Sequence, residues 1–109
     1  MRIWDISPEK LCRNHLLGEH RELHAIWVIL TKSRSGYSRH PETLRWKGKL
    51  KALYARHQAL VREMERRSYA HRSPLCRERA RGSRLQKVFV NSLSEQIEIL
   101  RNKKCGCRV

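Results

Sequence analysis

The feature that most constrains the fold is a broad apolar arc along one long helical segment near the start of the chain. The spacing predicts a helix from Ser7 to about Thr31, with Ser7 as its N-cap and Pro8 at its first position. At about 100° per residue, the apolar side chains of this segment fall on one side. The arc consists of Leu11, Cys12, Leu16, Leu23, Ala25, Ile26, Trp27, Ile29 and Leu30.

Three ionisable residues interrupt this arc: His15, Glu19 and Glu22. Seven residues make nearly two helical turns, so His15 and Glu22 stand within roughly 20° of each other. A carboxylate among apolar side chains loses hydration, and it therefore needs a positive partner or a raised pKa. The arc thus predicts either structural pairing of these groups with Arg and Lys or a functional site around Glu22.

The balance of charge points to a polyanionic partner. The 109 residues contain 25 Lys and Arg against 10 Asp and Glu, which gives a net charge of +15. Nucleic acid is the first candidate for the partner, an anionic membrane surface is a weaker one, and disorder is the competing interpretation. The length and the apolar periodicity predict a single domain over residues 1–109, and we expect a monomer.

No run of residues is long enough for a transmembrane helix, and no signal peptide is visible, so we expect a cytoplasmic protein of the cytosol or nucleoid. Its four cysteines are then expected to be reduced. Zinc binding by Cys12, Cys76, Cys105 and Cys107 is an alternative, but structural sites favour two residues between paired ligands. Free thiols are therefore favoured, with no metal and no cofactor.

The remaining elements complete an all-α prediction. A second helical region runs from Pro41 to about Arg67 with a bend near Gly48, and Ser92 with Glu95 forms a capping-box signal for a short last helix. Together these patterns predict a single compact bundle of two long helices plus a short C-terminal helix, with an extended N-terminal segment. The apolar stripe of the second region consists of Trp46, Leu50, Leu53, Tyr54, Leu60, Val61 and Met64.

Several basic segments lie outside the apolar stripes. Residues 68–84 are rich in Arg and Ser and predict a flexible basic connector. The loop from Tyr37 to Pro41 combines an aromatic ring with Arg39, a composition that suits a phosphate backbone and a stacked base or sugar. A surface loop with Tyr37 tucked under it is an equal alternative. Five cations lie off the second stripe or at its margin, where they are expected to be solvated or to face DNA: Arg45, Lys47, Lys49, Lys51 and Arg56.

One element gives the chain a family resemblance. The residues His15-Leu-Leu-Gly-Glu-His-Arg-Glu-Leu23, preceded by Arg2-Ile3, resemble the His-Leu-x-x-Glu-x-Arg-Glu-Leu element of the pyrimidine dimer DNA glycosylases, which stands at the same distance from an N-terminal Arg-Ile pair. The resemblance extends more weakly from Lys49 to Arg67, so it covers roughly the first two thirds of the chain. A matching register from the terminus to Glu22 is more specific than a short motif.

The resemblance implies a helical bundle and a DNA repair glycosylase with abasic-site lyase activity. In that family the N-terminal α-amine attacks the deoxyribose, forms a Schiff base and cuts the strand by β-elimination, assisted by a glutamate of the first helix. By position, the amine belongs to Met1 and the glutamate is Glu22. The resemblance implies that the partner is double-stranded DNA with a damaged or abasic site, and it places Arg2, His15, Arg21 and Lys32 among the residues near the substrate or the DNA. Arg34, Tyr37 and Arg39 are further DNA-binding candidates, on the basic and aromatic composition of their segment alone.

The chemistry suits these residues independently. An α-amine has an ordinary pKa of about 8 and is partly neutral at physiological pH, whereas a lysine titrates near about 10.4. The register requires that Met1 is retained and unacetylated. The Cys-Gly-Cys tail, with no aromatic residue after Phe89, makes lyase chemistry at abasic sites the safer inference than pyrimidine dimers as the natural lesion. A non-catalytic basic protein that binds nucleic acid is the alternative.

Overall fold

The computed structural model describes residues 2–32 and 39–109. It is built from helices, with no strand in the described ranges and one isolated bridge between Lys49 and Gly82, so the all-α prediction is confirmed. No described helix has the length and apolar character needed to cross a membrane. The helices are α1 (Arg13–Lys32), α2 (Pro41–Leu44), α3 (Leu50–Arg66) and α4 (Leu93–Asn102), with 3-10 turns at Pro8–Lys10 and Arg77–Arg79.

The first helix begins later than predicted, at Arg13 rather than after Ser7. Ser7 precedes only the 3-10 turn, and its side chain makes no capping hydrogen bond. Leu11 then adopts an extended conformation and is buried, which separates the turn from α1. The guanidinium of Arg67 donates to backbone carbonyl oxygens between Pro8 and Leu11, including that of Leu11 at 2.6 Å. A long-range contact thus satisfies carbonyls that a continuous helix would have bonded itself.

The core lies between α1 and α3, which pack against each other. Leu16 and Leu23 of α1 are completely buried, as are Leu53 and Leu60 of α3. Ala25 is exposed, so the buried face of α1 is narrower than the arc predicted from the sequence. The N-terminal segment covers one side of this core, with Ile3, Trp4 and Ile6 buried.

The predicted bend at Gly48 is a complete break between α2 and α3. Gly48 has a φ of +74°, a conformation that favours glycine. The connector folds back onto this break: the Ser83 N–H donates to the Gly48 carbonyl oxygen at 3.0 Å, and the Lys51 N–H donates to the carbonyl oxygen of Arg81 at 2.9 Å. The segment around Arg81 therefore supplies acceptors for the first N–H groups of α3.

Arg45 is buried, so the prediction that it is solvated or faces DNA is wrong. Its guanidinium donates to Glu42 Oε1 at 2.7 Å and to Asp5 Oδ1 at 3.1 Å. It also donates to the carbonyl oxygens of Ile3 and Val88. The helix that precedes Arg45 is a single turn, so the periodicity of a longer helix does not determine which way this side chain points.

The capping box at the start of α4 is confirmed. Ser92 accepts a hydrogen bond from the Glu95 N–H, and Glu95 accepts one from the Ser92 N–H. The buried Gln96 joins α4 to the N-terminal segment, because it accepts from the Asp5 N–H at 2.8 Å and donates to Asp5 Oδ2 at 3.0 Å. The N-terminal segment is therefore held between α4 on one side and α1 on the other.

Candidate active site

A cleft of about 500 Å³ lies where the N-terminal segment meets α1 and the end of α4. It brings together three of the residues predicted from the sequence, namely Arg2, His15 and Glu22. The other residues that line it are Trp4, Asn14, Gly18, Glu19, Ile99 and Lys103. Cationic and acidic side chains thus face the same solvent-accessible space.

Arg2 is held at the rim of the cleft by two contacts. Its Nη1 donates to Asn91 Oδ1 at 2.8 Å. Its Cζ lies 4.9 Å from the ring centroid of Trp4, which is within the range of a cation–π interaction. Both contacts orient the backbone immediately after Met1.

Glu19 is the buried anchor of the site. Its Oε1 accepts a hydrogen bond from the Trp4 N–H at 3.0 Å. Arg56 of α3 binds the same carboxylate through two N–H groups, at 2.7 and 3.0 Å. Burial raises the pKa of Glu19, and the charge and hydrogen bonds of Arg56 act in the opposite direction. Structural pairing with an arginine, one of the two interpretations of the acids in the arc, is confirmed for Glu19.

Glu22 differs from Glu19 in its surroundings. It lies one helical turn further along α1, is half-buried and lines the cleft. Its side chain forms no hydrogen bond or ion pair with any other residue in the ranges 2–32 and 39–109. A half-buried carboxylate of this kind is available to stabilise positive charge or to exchange a proton with a bound molecule.

His15 forms another wall of the cleft. Its ring packs edge-on against Trp4, with the ring centroids 5.7 Å apart. Burial lowers the pKa of His15, and the nearby charge of Lys103 lowers the pKa further, which favours the neutral imidazole. Its Nδ1 lies 3.1 Å from Cys12 Sγ. This ring is therefore shared between the cleft and a group of cysteines.

The other predicted DNA-binding residues lie outside this cleft or outside the described ranges. Arg21 is exposed on α1 beside Glu22, and Arg39 is exposed just before α2. Lys32 is exposed at the end of α1 and lines a different groove, between α1 and the connector. Of the predicted site residues, Met1, Arg34 and Tyr37 lie outside the described residues.

Reasoning from the sequence missed the pairing of Arg56 with Glu19 and the position of Lys103 on the cleft. Arg56 binds the buried Glu19 carboxylate, so the expectation that it is solvated or faces DNA is wrong. Arg56 lies 37 positions from Glu19, and no local pattern connects them. Lys103 was one cation among many in the C-terminal tail. Glu19 did give a signal, because it interrupts an apolar arc, but its role in holding the Trp4 backbone did not follow from that.

The chain matches a family model. The model of the pyrimidine dimer DNA glycosylases aligns with residues 1–76, which contain the N-terminal segment, α1, α2 and α3. Neither the curated proteins nor the solved structures provide a significant match. The matched region includes Arg2, His15, Glu19 and Glu22 of the cleft, whereas Lys103 lies beyond it. The chain belongs to the pyrimidine dimer DNA glycosylase family.

Proposed function

We propose that this protein is a DNA repair glycosylase with abasic-site lyase activity. The α-amine of Met1 forms a Schiff base with the deoxyribose of a damaged or abasic nucleotide. Glu22 assists the reaction, and β-elimination then cleaves the strand. The observation that carries this proposal is that Arg2, the neighbour of Met1, and Glu22 line the same cleft.

The anchoring of Trp4 supports the proposal. The Trp4 N–H is bonded to Glu19, which precedes Glu22 by three residues on the same helix. Three residues rise about 4.5 Å along a helix. Three residues of extended chain span up to about 10 Å. A chain tethered at Trp4 therefore has more than enough reach to bring its terminal amine to the Glu22 carboxylate.

The electrostatics of the cleft favour a neutral amine. Arg2 and Lys103 both line the cleft, and their positive charges disfavour the protonation of an α-amine nearby. A neutral amine carries the lone pair that attacks carbon. The same cations, together with the net charge of +15, attract the phosphate backbone that surrounds the reacting sugar.

The proposed reaction has two stages. At a damaged nucleotide the amine nitrogen bonds to C1′ while the glycosidic bond breaks, and the base leaves with a proton. At an abasic site the amine condenses with the C1′ aldehyde and water leaves. On the first route the C1′–O4′ bond then breaks and O4′ takes a proton, so both routes give an iminium, whose positive charge the Glu22 carboxylate stabilises. Removal of a proton from C2′ then expels the 3′ phosphate, and hydrolysis of the imine restores the amine.

Borohydride trapping with abasic duplex DNA tests this proposal. The expected result is a covalent adduct on the Met1 peptide, located by mass spectrometry of the digested complex. A variant with one glycine added before Met1 should bind the duplex but give no adduct. Lys103 is the informative control, because it is a second amine on the cleft. An adduct that survives in the extended protein and disappears in Lys103→Gln would overturn the assignment to Met1.

The non-catalytic alternative gives a different result in the same experiment. A basic binding protein would show salt-dependent affinity for the duplex and no trapped adduct at any enzyme concentration. Intact mass of the native protein is measured first, since loss or acetylation of Met1 removes the amine on which the proposal depends.

A further inference from the structure

Four side chains from the two ends of the chain converge beside the start of α1. Cys12 precedes α1, His15 lies in its first turn, and Cys105 and Cys107 follow α4. Their three Sγ atoms and a His15 ring nitrogen all lie within 4.8 Å of one another. The closest approaches join His15 Nδ1 to Cys12 Sγ at 3.1 Å and to Cys107 Sγ at 3.3 Å. Three thiols and one imidazole thus surround a common point, which we call the cysteine cluster.

The composition and spacing of the cysteine cluster suit tetrahedral zinc. Three cysteines and one histidine are a recurrent ligand set of structural zinc sites. Zinc–sulfur bonds of about 2.3 Å and zinc–nitrogen bonds of about 2.0 Å place tetrahedral donors about 3.5–3.8 Å apart. The donors of the cluster lie within 4.8 Å of one another, so small side-chain rotations would bring them into that range. The alternative zinc site considered from the sequence contained all four cysteines. In the structure Cys76 is exposed and lies outside the cluster, and His15 is the fourth potential ligand.

The backbone around the cysteine cluster is arranged to hold the sulfur atoms. The Cys12 N–H donates to Cys107 Sγ at 3.1 Å, and the Arg108 N–H donates to the Lys10 carbonyl oxygen at 2.8 Å. A Cβ added to Gly106 would lie 3.6 Å from Cys12 Cβ, which shows how closely the tail approaches α1. N–H groups directed at ligating sulfur atoms are a common outer-shell feature of metal sites.

The local charge also suits three thiolates. Zinc with three thiolates and a neutral imidazole carries a net charge of about −1. Lys103 lines the cleft next to His15, and Arg108 follows Cys107 directly. Positive side chains therefore stand on both sides of the cluster and offset the negative charge of a bound complex.

We propose that Cys12, His15, Cys105 and Cys107 bind one zinc ion, which fastens the C-terminal tail to the start of α1. Two of these ligands lie within the region matched by the family model, and two lie beyond it. The ion would also fix the His15 ring, which forms one wall of the candidate active site. The role is structural, because all four positions of a tetrahedral ion are filled by protein ligands.

A second group of four histidines carries a separate inference. His20 and His24 stand one turn apart on α1, His57 faces them from α3, and His71 reaches in from the connector. A ring nitrogen of each lies within 4.8 Å of the others. The closest pair is His24 Nε2 and His57 Nε2, which are 3.1 Å apart. We call these residues the histidine cluster.

Two details of the histidine cluster point to a ligand. The buried His20 Nε2 has no hydrogen-bond partner within the described part of the chain. A buried polar atom without a partner is costly, and a metal ion would satisfy it. His57 Nδ1 bonds to Gln58 Oε1 at 2.8 Å, so it carries the proton and leaves the lone pair on Nε2, which faces the cluster. Metal-binding histidines are commonly held through their second nitrogen in this way.

The geometry of the histidine cluster points to a second divalent transition ion, bound by four imidazoles. Imidazole suits zinc, copper and nickel, and a closed tetrahedral set of neutral ligands suits zinc. The Ser73 carbonyl oxygen also lies at the edge of the cluster, 3.0 Å from His71 Nε2. This ion would tie the connector to α1 and α3.

Metal content of the full-length protein, purified without an affinity metal, tests both sites. The expected result is about two zinc ions per chain. Cys105→Ser and His71→Asn should each reduce this to about one. Cys76→Ser and His40→Asn are matched controls, because these residues lie outside both clusters and should keep the full content. A metal content near zero in the unsubstituted protein would overturn both inferences.

Two measurements on the unsubstituted protein do not depend on whether the variants fold. Of the four thiols, only Cys76 should react rapidly with a thiol reagent, and the others should react after a chelator is added. Immediate reaction of all four thiols, or a disulfide detected by mass, would overturn the zinc site of the cysteine cluster.

In zinc-edge X-ray absorption, the eight ligands should contribute three sulfur and five nitrogen atoms. A ratio of three sulfur atoms to one nitrogen would overturn the histidine site.

Cobalt substitution separates the two sites from each other. Cobalt bound to thiolates gives a charge-transfer absorption that imidazole ligands do not give. This band should lose intensity in Cys105→Ser, which removes one of three thiolates, and keep its full intensity in His71→Asn; an unchanged band in Cys105→Ser would contradict the cysteine ligands. None of these readouts involves DNA cleavage, so failure of the metal sites and failure of the proposed enzymatic function are distinguishable.

Discussion

The backbone N–H of Trp4 donates a 3.0 Å hydrogen bond to the buried carboxylate of Glu19. The same carboxylate binds Arg56 of α3, so one side chain joins the N-terminal segment to both long helices. Glu22, one turn further along α1, faces the cleft instead. Two acids of the same helix therefore have different roles, because one is buried against a cation and the other lines a solvent-accessible space.

Glu19→Ala should destabilise the protein by about 3–5 kcal/mol, because it leaves the Arg56 guanidinium partly buried without its partner. Urea unfolding measures this loss. The exposed Glu98→Ala is the control and should change the free energy of unfolding little. Replacing both Glu19 and Arg56 by Met should cost less than Glu19→Ala; an equal or larger cost would show that the ion pair is not the source of the loss.

Glu22→Gln should leave duplex binding within a few-fold of the parent and lower strand cleavage at abasic sites by about 10²–10⁴-fold. The amide keeps the size of the side chain but loses its negative charge and its basicity. Single-turnover cleavage and a binding titration measure the two effects separately. Glu98→Gln removes an equal charge from the exposed face of α4 and should cleave normally. Cleavage by Glu22→Gln at the parental rate would remove Glu22 from the mechanism.

Glu63 should make stability depend on pH in the acid range. Hydrogen bonds from Arg66 and then Arg67 lower the pKa of Glu63 to about 2, whereas an unfolded glutamate titrates near about 4.3. Because the pKa of Glu63 is lower in the folded protein than in the unfolded chain, its ionised form stabilises the fold. This stabilisation is complete above the pKa of the unfolded glutamate, and it is lost as the pH falls through about 2.

The measurement is the melting temperature of Glu63→Gln relative to the parent between neutral pH and about pH 2. The variant should melt lower at neutral pH, and the difference should shrink steadily below about pH 4.3. Glu65→Gln, an exposed acid of the same helix, is the control and should show no such convergence. A difference that stays constant across the range would contradict the ion-pair explanation.

Gly82→Ala should destabilise the protein strongly. Gly82 has a φ of +85°, and a Cβ at this position would lie 2.3 Å from the Gly48 carbonyl oxygen. In the folded protein the connector at Gly82 lies directly against the Gly48 backbone, just before α3. An alanine at position 82 would therefore force the connector and the backbone at Gly48 apart. The φ strain alone is worth about 1–3 kcal/mol. Thermal unfolding measures the effect.

Gly18→Ala provides a control of opposite sign. Gly18 lies inside α1, and nothing stands within 4 Å of an added Cβ, so alanine should stabilise the helix by about 0.5–1 kcal/mol. If both glycine variants melted at the parental temperature, the close approach of the connector to Gly48 would not be present in solution.

Local chemistry explains which parts of the fold could be predicted from the sequence. The capping box of Ser92 and Glu95 involves residues three apart, and the break at Gly48 reflects one residue's backbone freedom. The apolar stripe of α3 follows from helical spacing alone. The start of α1 could not be predicted in this way, because the carbonyls before it are satisfied by Arg67, which lies far along the chain.

The residues of the candidate site also fall into those that the sequence predicted and those that it did not. Glu22, His15 and Arg2 were predicted from an interrupted arc and a family register, and the structure lines one cleft with all three. Their roles in catalysis stay a prediction. The partner of Glu19 and the cation Lys103 were not predicted, since each contact joins elements that no local pattern relates.

The helical class, the apolar stripe of α3, the positive charge and the family register all follow from the amino-acid sequence, because each depends on residue type or on short spacings. Which distant groups meet depends on the folded chain. Cys12 and Cys107 are 95 positions apart, and His24 and His57 are 33 apart, yet each pair is in contact. Such meetings depend on how α1, α3 and the C-terminal tail pack in three dimensions, and spacing along one segment carries no information about that packing.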